Sequence, residues 1–205
     1  MSRYTGAKHR IMRRLGRLPG FLKKRSRKIR RFPPGEHGLV KTRRRRFRRT
    51  IFRKRLQAKQ GLLYNYGIRE RQLRSYLKLA KHIKRPMIEV ILELLESRLD
   101  TIVYRALSMQ SICAARQIIN HGHIKVNGFK LDIPSYPCQQ SDNIEISVTI
   151  LTKYRGKRPK RCYYVKAARD YYRYLRVIAI HRLRRSRLPG RLNKKLIAEY
   201  YSRIL

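Results

Sequence analysis

The sequence has no tryptophan, three cysteines and only 11 acidic residues among 205, against 54 lysines and arginines. The shortage of acid leaves a formal charge of +43. Such a chain would repel itself unless an acidic partner neutralised it, which excludes a free-standing neutral enzyme. Nucleic acid is the polyanion that suits it best, with an anionic membrane surface as the alternative. No apolar run approaches the roughly 18–20 residues that cross a bilayer, so a spanning role is excluded. Met1–Gly20 lacks the apolar stretch of a secretory signal. It is Arg-rich and free of acid, as organelle transit peptides are, but Ser is scarce and Arg17-Leu-Pro-Gly20 breaks an amphipathic helix, so no removable leader is expected. Cys113, Cys138 and Cys162 are odd in number and include no C-x₂-C pair, which disfavours a zinc ribbon and suits reduced thiols. His121-x-His123 has no third ligand nearby, so neither metal nor cofactor is expected. The apolar fraction of 42% still permits a modest core.

Charge divides the chain. Residues 1–60 carry 24 bases and one acid (Glu36), residues 61–150 carry 12 bases and 8 acids, and residues 151–205 carry 18 bases and 2 acids. A near-neutral globular middle between polycationic flanks is the plain reading. Runs such as Arg43, Arg44, Arg45 and Arg46 cannot pack against themselves; they are arms, or segments that order on a polyanion. Phe21, Phe32, Phe47 and Phe52 punctuate the first flank. Aromatics among arginines suit stacking and phosphate contact, but the same rings could anchor the arm to the protein's own core.

In the middle, Leu73, Tyr76, Leu77, Ala80 and Ile83 recur at helical spacing after Gly67. Pro86 suits the first turn of a second helix, whose apolar stripe runs from Ile88 through Ile91, Leu92, Leu95, Leu99 and Ile102 to Val103. Glu89, Glu93, Glu96 and Asp100 line one flank of that stripe, and Arg98 and Arg105 the other. The two arginines are therefore candidate phosphate contacts, or else internal ion-pair partners. Ser111 is a good N-cap for a third helix and Gly122 a good stop. Ile112, Ala115, Ile118 and Ile119 share one face of it, with Arg116 and Asn120 opposite. The period then changes: Ile124 and Val126 alternate, Asn127-Gly128 is a strong hairpin signal, and Ile144, Ile146 and Val148 alternate again. The fold class is α+β. The expected parts are a basic N-terminal arm and helical segment (1–60), a helical domain (61–96), a module of two short helices and a small antiparallel sheet (97–150), and a basic C-terminal segment packing back on the helical domain (151–205).

The run Ser97-Arg-Leu-Asp-Thr-Ile-Val-Tyr-Arg105, followed by Ala115-Arg-Gln-Ile-Ile-Asn-His-Gly-His-Ile124-Lys-Val-Asn-Gly128, resembles the alpha-L RNA-binding motif. Met1-Ser-Arg-Tyr-Thr-Gly6 with Arg14-Leu-Gly-Arg-Leu-Pro-Gly20, Tyr66-Gly-Ile-Arg-Glu-Arg-Gln-Leu73 and Glu199-Tyr-Tyr-Ser-Arg203 extend the resemblance to the ribosomal protein S-four family of the small subunit, in its plastid and bacterial form. Two departures stand out. No cysteine precedes Cys113, where many bacterial relatives have a zinc cluster, and Lys41–Lys59 contains none of the acids that relatives carry there.

The resemblance implies a structural constituent of the small subunit that binds rRNA directly at a multi-helix junction, nucleates assembly early and supports translational accuracy. It implies contact with ribosomal protein S-five near the place where mRNA enters, and residence in a plastid, with a bacterial cytoplasm or mitochondrion as alternatives. It carries an RNA-facing surface onto Ser111, Arg116, Gln117, Asn120, His121, Gly122, His123, Lys125, Asn127 and Gly128, with Arg98 and Arg105 beside it. Arg3, Tyr4, Arg13 and Arg14 join from the opening stretch. No Walker loop or dinucleotide fingerprint is present. Arg98-Leu99-Asp100 resembles the catalytic-Asp context of pseudouridine synthases, but only 57 residues follow Val148 and Leu99 lies on the apolar stripe, so no enzyme is expected. Two other readings are a heat-shock-type alpha-L protein and a chromatin-like DNA compactor. In the preferred one a rigid module selects the RNA fold and the flanks add affinity by counterion release, with a log–log salt slope near −7 to −9 for about ten neutralised phosphates.

Overall fold

Thr50 opens a helix within the expected basic helical segment, at bounds the sequence reading does not place. Its side chain accepts a hydrogen bond from the Arg53 N–H at 3.3 Å, and Gly67, at φ 60°, closes the 16-residue helix. The computed structural model describes residues 4–22, 30, 32–36, 38, 50–139, 142–147, 150 and 193–202 in full, and 165–169 and 174–179 as strand backbone. Its helices are α1 (Lys8–Leu15), α2 (Ile51–Tyr66), α3 (Glu70–Lys81), α4 (Met87–Glu96), α5 (Leu99–Ala106), α6 (Ile112–Asn120) and α7 (Lys194–Tyr201). Its strands are β1 (Ile124–Val126), β2 (Phe129–Lys130), β3 (Asn143–Ser147), β4 (Val165–Arg169) and β5 (Tyr174–Ala179). The chain is α+β and falls into two compact units, Met1–Ile88 with Leu188–Leu205, and Glu89–Arg187.

The first unit is helical. Ile11, Met12, Leu18 and Phe21 form a small core with Leu15, Leu22 and Tyr64 against it. Phe21 is therefore an anchor: its ring meets Tyr4 and Tyr64 at centroid distances of 5.9 and 5.5 Å. Asn65 is buried and accepts the Gly20 N–H at 2.9 Å, fixing the turn after α1 to α2. Asn193 caps α7 through the Leu196 N–H, and α7 packs on α2. Arg55 pairs with Glu199 at 2.8 Å and Lys59 with Glu70 at 3.1 Å, while the Tyr201 hydroxyl donates to Glu70 at 3.3 Å. Burial beside the Glu70 carboxylate raises the Tyr201 phenol well above its usual range.

The second unit joins α4, α5 and α6 to a five-stranded sheet of order β2-β1-β3-β5-β4, every neighbouring pair antiparallel. Ile124 pairs with Ile146 and Val126 with Ile144, so the alternating residues of β1 and β3 bury one common face. Asn127 and Gly128 have φ 51° and 87°, the pair of left-handed residues that a two-residue hairpin of matching twist requires. Two expectations are corrected. The described parts of the C-terminal segment divide, because α7 packs on α2 whereas β4 and β5 extend the sheet. The apolar stripe from Ile88 to Val103 is not one helix but two, broken at Ser97-Arg98. There Arg98 turns extended (φ −66°, ψ 139°) and bridges to Pro137. The segment 134–138 supplies what a side-chain cap would: the Leu99 N–H donates to the Tyr136 carbonyl at 2.9 Å and the Asp100 N–H to the Pro134 carbonyl at 3.0 Å, while the Cys138 N–H donates to the Ser97 carbonyl.

Buried ion pairs hold this break. Asp100 is fully buried and accepts from Arg98 Nε at 3.0 Å and Nη2 at 2.8 Å, and from Arg116 Nε at 2.7 Å. Glu96 accepts from Arg105 Nε at 2.7 Å, with both residues buried. Asp100→Ala would strand the Arg98 guanidinium inside the protein and should cost about 3–5 kcal/mol, read as a loss of stability in urea unfolding. Burial, reinforced by Asp142 and then Asp100, pushes the Cys138 thiol up to about 12. The thiolate is the reactive form, so alkylation at mildly alkaline pH with site-resolved mass spectrometry should modify the half-buried Cys113 and spare Cys138 until the chain unfolds. Because that folded value exceeds the reference value of 9.0, the contribution of Cys138 to stability should be complete below pH 9 and decline as pH rises toward 12.

Candidate nucleic-acid interface

Ser111 starts α6 in the expected way, its hydroxyl accepting the Ala114 N–H at 3.3 Å. Ile112, Ala115, Ile118 and Ile119 are buried, and this fixes Gln117, Asn120 and then His121 on the outer side, while the Arg116 side chain, 13% exposed, lies against Asp100. Gln117, Asn120 and His121 are exposed. Gly122, at φ 72°, turns the chain back, and the rings of His121 and His123 lie 6.3 Å apart. Lys125 follows on the exposed side of β1, then Asn127 and Gly128 at the hairpin tip. The helix face, the turn and the hairpin therefore form one continuous ribbon of polar groups.

Parts of the ribbon are held rigidly. Asn127 donates from Nδ2 to Asp142 at 3.1 Å and accepts the Asn143 N–H at 2.9 Å, pinning the tip to the start of β3. His123 Nδ1 lies 3.4 Å from the Ser147 hydroxyl. Arg116 is held by Asp100 through Nε, which fixes the plane of its guanidinium.

Several expected contacts lie elsewhere. Arg98 and Arg105, read as candidate phosphate ligands, are 1% and 6% exposed and engage Asp100 and Glu96. They are structural ion-pair residues, because the carboxylates taken to line the far flank of one long helix are folded inward with them. Ser111 is buried, and its hydroxyl is engaged by the cap. Arg13 donates to the carbonyls of Phe32 at 2.8 Å and Pro33 at 3.0 Å and stacks on the Phe32 ring, so it ties down its own segment. Tyr4 packs on Tyr64 and Phe21, and Arg14 is exposed; both belong to the helical unit. Arg3 and Arg43–Arg46 lie outside the described residues.

Lys130 was missed by sequence reasoning. The hairpin register sets it opposite Lys125 on one face, and a methyl group built on Gly122 would lie 2.0 Å from its Cε. Gly122 thus leaves room for the Lys130 side chain at the C-terminal end of α6, where a cation is favoured. The register implied by Asn127-Gly128 was the signal that could have found it. Asp100, the only catalytic candidate considered, is sealed between two arginines and has no access to a substrate. Among the described residues no group of three or more His, Cys, Asp or Glu could hold a metal ion.

Comparison with known proteins identifies the family. A family model described as "S4 domain" matches residues 97–144, and one described as "Ribosomal protein S4/S9 N-terminal domain" matches residues 3–96. The "Small ribosomal subunit protein uS4c" of Chlorella vulgaris is 47% identical over 150 residues, 72% of each chain. The "Small ribosomal subunit protein uS4" of Trichodesmium erythraeum is 39% identical over 216 residues, and the uS4c protein of Guillardia theta 39% over 214 residues, each alignment covering 99% of both chains. Matched by these models from residue 3 to residue 144 and by relatives along nearly its whole length, the chain belongs to the small ribosomal subunit protein uS4 family.

Proposed function

We propose that the chain is a non-catalytic structural constituent of the small ribosomal subunit that binds its rRNA directly, at a multi-helix junction, through the ribbon running from Arg116 to Lys130. The observation that carries this reading is the continuity of Arg116, Gln117, Asn120, His121, Gly122, His123, Lys125, Asn127 and Gly128 on a rigid helix, turn and hairpin inside the matched S4 domain. Structured RNA is read mainly by shape, phosphates and 2′-hydroxyls, which calls for fixed polar groups on a stiff frame. The basic flanks, Arg3, Arg14 and Arg43–Arg46 among them, supply sequence-independent affinity by displacing counterions. Resemblance to the family supports an early role in assembly, a contribution to translational accuracy, and contact with ribosomal protein S-five near the place where mRNA enters. The uS4c relatives and the chain's two end motifs favour a plastid ribosome, with a bacterial one as the alternative.

The roles of ribbon and flank separate by mutation. Arg116→Ala together with His121→Ala should weaken binding to small-subunit rRNA by roughly 10- to 100-fold while changing affinity for random-sequence RNA by less than about twofold. Replacing two of Arg43–Arg46 with Ala should weaken both RNAs alike and flatten the log–log salt slope by about 1.5 to 2. Filter binding at several salt concentrations, with circular dichroism to confirm folding, reads both. Unchanged rRNA affinity in the double variant would remove the ribbon from the account.

A further inference from the structure

The most exposed large apolar side chain among the described residues is Phe129, 80% accessible, at the tip of the β1–β2 hairpin. It pairs with Val126 across the hairpin, so the two share a face, yet Val126 is buried and Phe129 is not. Its strand is two residues long and, among the described residues, forms the edge of the sheet with no strand beyond it. The setting is cationic. Lys125 and Lys130 stand directly opposite each other on the other face of the hairpin, so two cations lie side by side behind the ring. Of the carboxylates near the tip, Asp142 holds Asn127 and the Gln139 N–H, Glu145 stands across from Lys125, and Asp132 is exposed two residues beyond Lys130.

The hairpin also presents the ring stiffly. The turn at Asn127 and Gly128 is locked by its left-handed pair and by the bonds of Asn127 to Asp142 and Asn143. A phenyl ring has only two side-chain torsions to freeze on binding, and it can form no conventional hydrogen bond. What it offers to nucleic acid is a flat apolar face, and flat apolar faces take unpaired bases by stacking. We propose that Phe129 is a stacking platform for an unpaired base of the RNA held by the ribbon, so that the hairpin reads single-stranded character next to phosphates gripped by Lys125 and Lys130. This rests on the rRNA-binding reading above and adds to it a specificity-determining residue.

The absence of tryptophan from the chain makes a direct test possible. Phe129→Trp would be the sole tryptophan, at an exposed position where the fold tolerates it. Its emission should be quenched when the full-length protein binds in-vitro-transcribed small-subunit rRNA, and should stay unquenched with fully paired duplex RNA of the same length. Phe129→Ala should lose between about 5- and 150-fold in rRNA affinity with an unchanged salt slope, Phe129→Leu should fail to restore it, and Phe129→Trp should bind as the parent does. If the parent prefers small-subunit rRNA but Phe129→Ala binds equally well, the stacking role is overturned and the ribbon reading survives. If the parent shows no preference, both fall. Equal quenching by duplex RNA also overturns the proposal, as would a Phe129→Ala variant with full rRNA affinity that loses a neighbouring protein in reconstituted subunits.

Discussion

The Asp100 carboxylate is the constraint on which the rest of the second unit depends. It lies in the first turn of α5, where the helix dipole favours a negative charge, and it binds Arg98 at the break before that helix and Arg116 on α6. One buried acid thereby fixes the start of one helix, the angle of the chain entering it and the guanidinium of a half-buried residue on the next. Burying such groups offers little net stabilisation, but removing one member leaves an unpaired charge inside, so the arrangement specifies geometry more than it adds stability. In a chain with 11 acids and 54 bases the same economy recurs. Glu96 anchors Arg105, Glu70 and Glu199 fasten α7 to the helices before it, and Asp142 sets the hairpin tip.

This division of labour shapes the surface. Acids are drawn to joints, where they consume particular arginines and lysines, and the cations left exposed face solvent and its counterions. The ribbon from Arg116 to Lys130 is built on secondary structure whose backbone bonds and caps are satisfied, so little conformational freedom remains to be lost on binding. Long basic segments contribute differently. Their attraction for phosphate is strong and indifferent to sequence, and salt screens it. On the proposed reading, selectivity and affinity arise in different parts of one chain.

Much of this was legible in the residues. Ser111 before an apolar 3–4 spacing, Gly122 after it and Asn127-Gly128 between alternating strands each name a local conformation by a mechanism that tertiary contacts do not override. The misreadings have physical causes. Ile88 to Val103 keeps its helical period through Ser97-Arg98, so periodicity could not reveal a break imposed by the distant segment 134–138. The bounds of α2 are hidden in the sequence because its bases mask a sparse apolar pattern, although Thr50 and Gly67 mark both ends. Arg98 and Arg105 were placed on a basic edge because a helical projection cannot show that two carboxylates fold inward with them. Lys130 became visible only with the hairpin register.

The central question is whether shape-specific contacts, rather than charge, choose the RNA. Equilibrium competition between small-subunit rRNA and random-sequence RNA of equal length for the full chain, followed from about 0.05 to about 0.2 M salt, tests this directly. Both affinities should fall steeply while the preference for rRNA holds or grows. A preference that shrinks to nothing as salt rises, or that is absent throughout, would show that the cationic flanks do the choosing and would contradict the account.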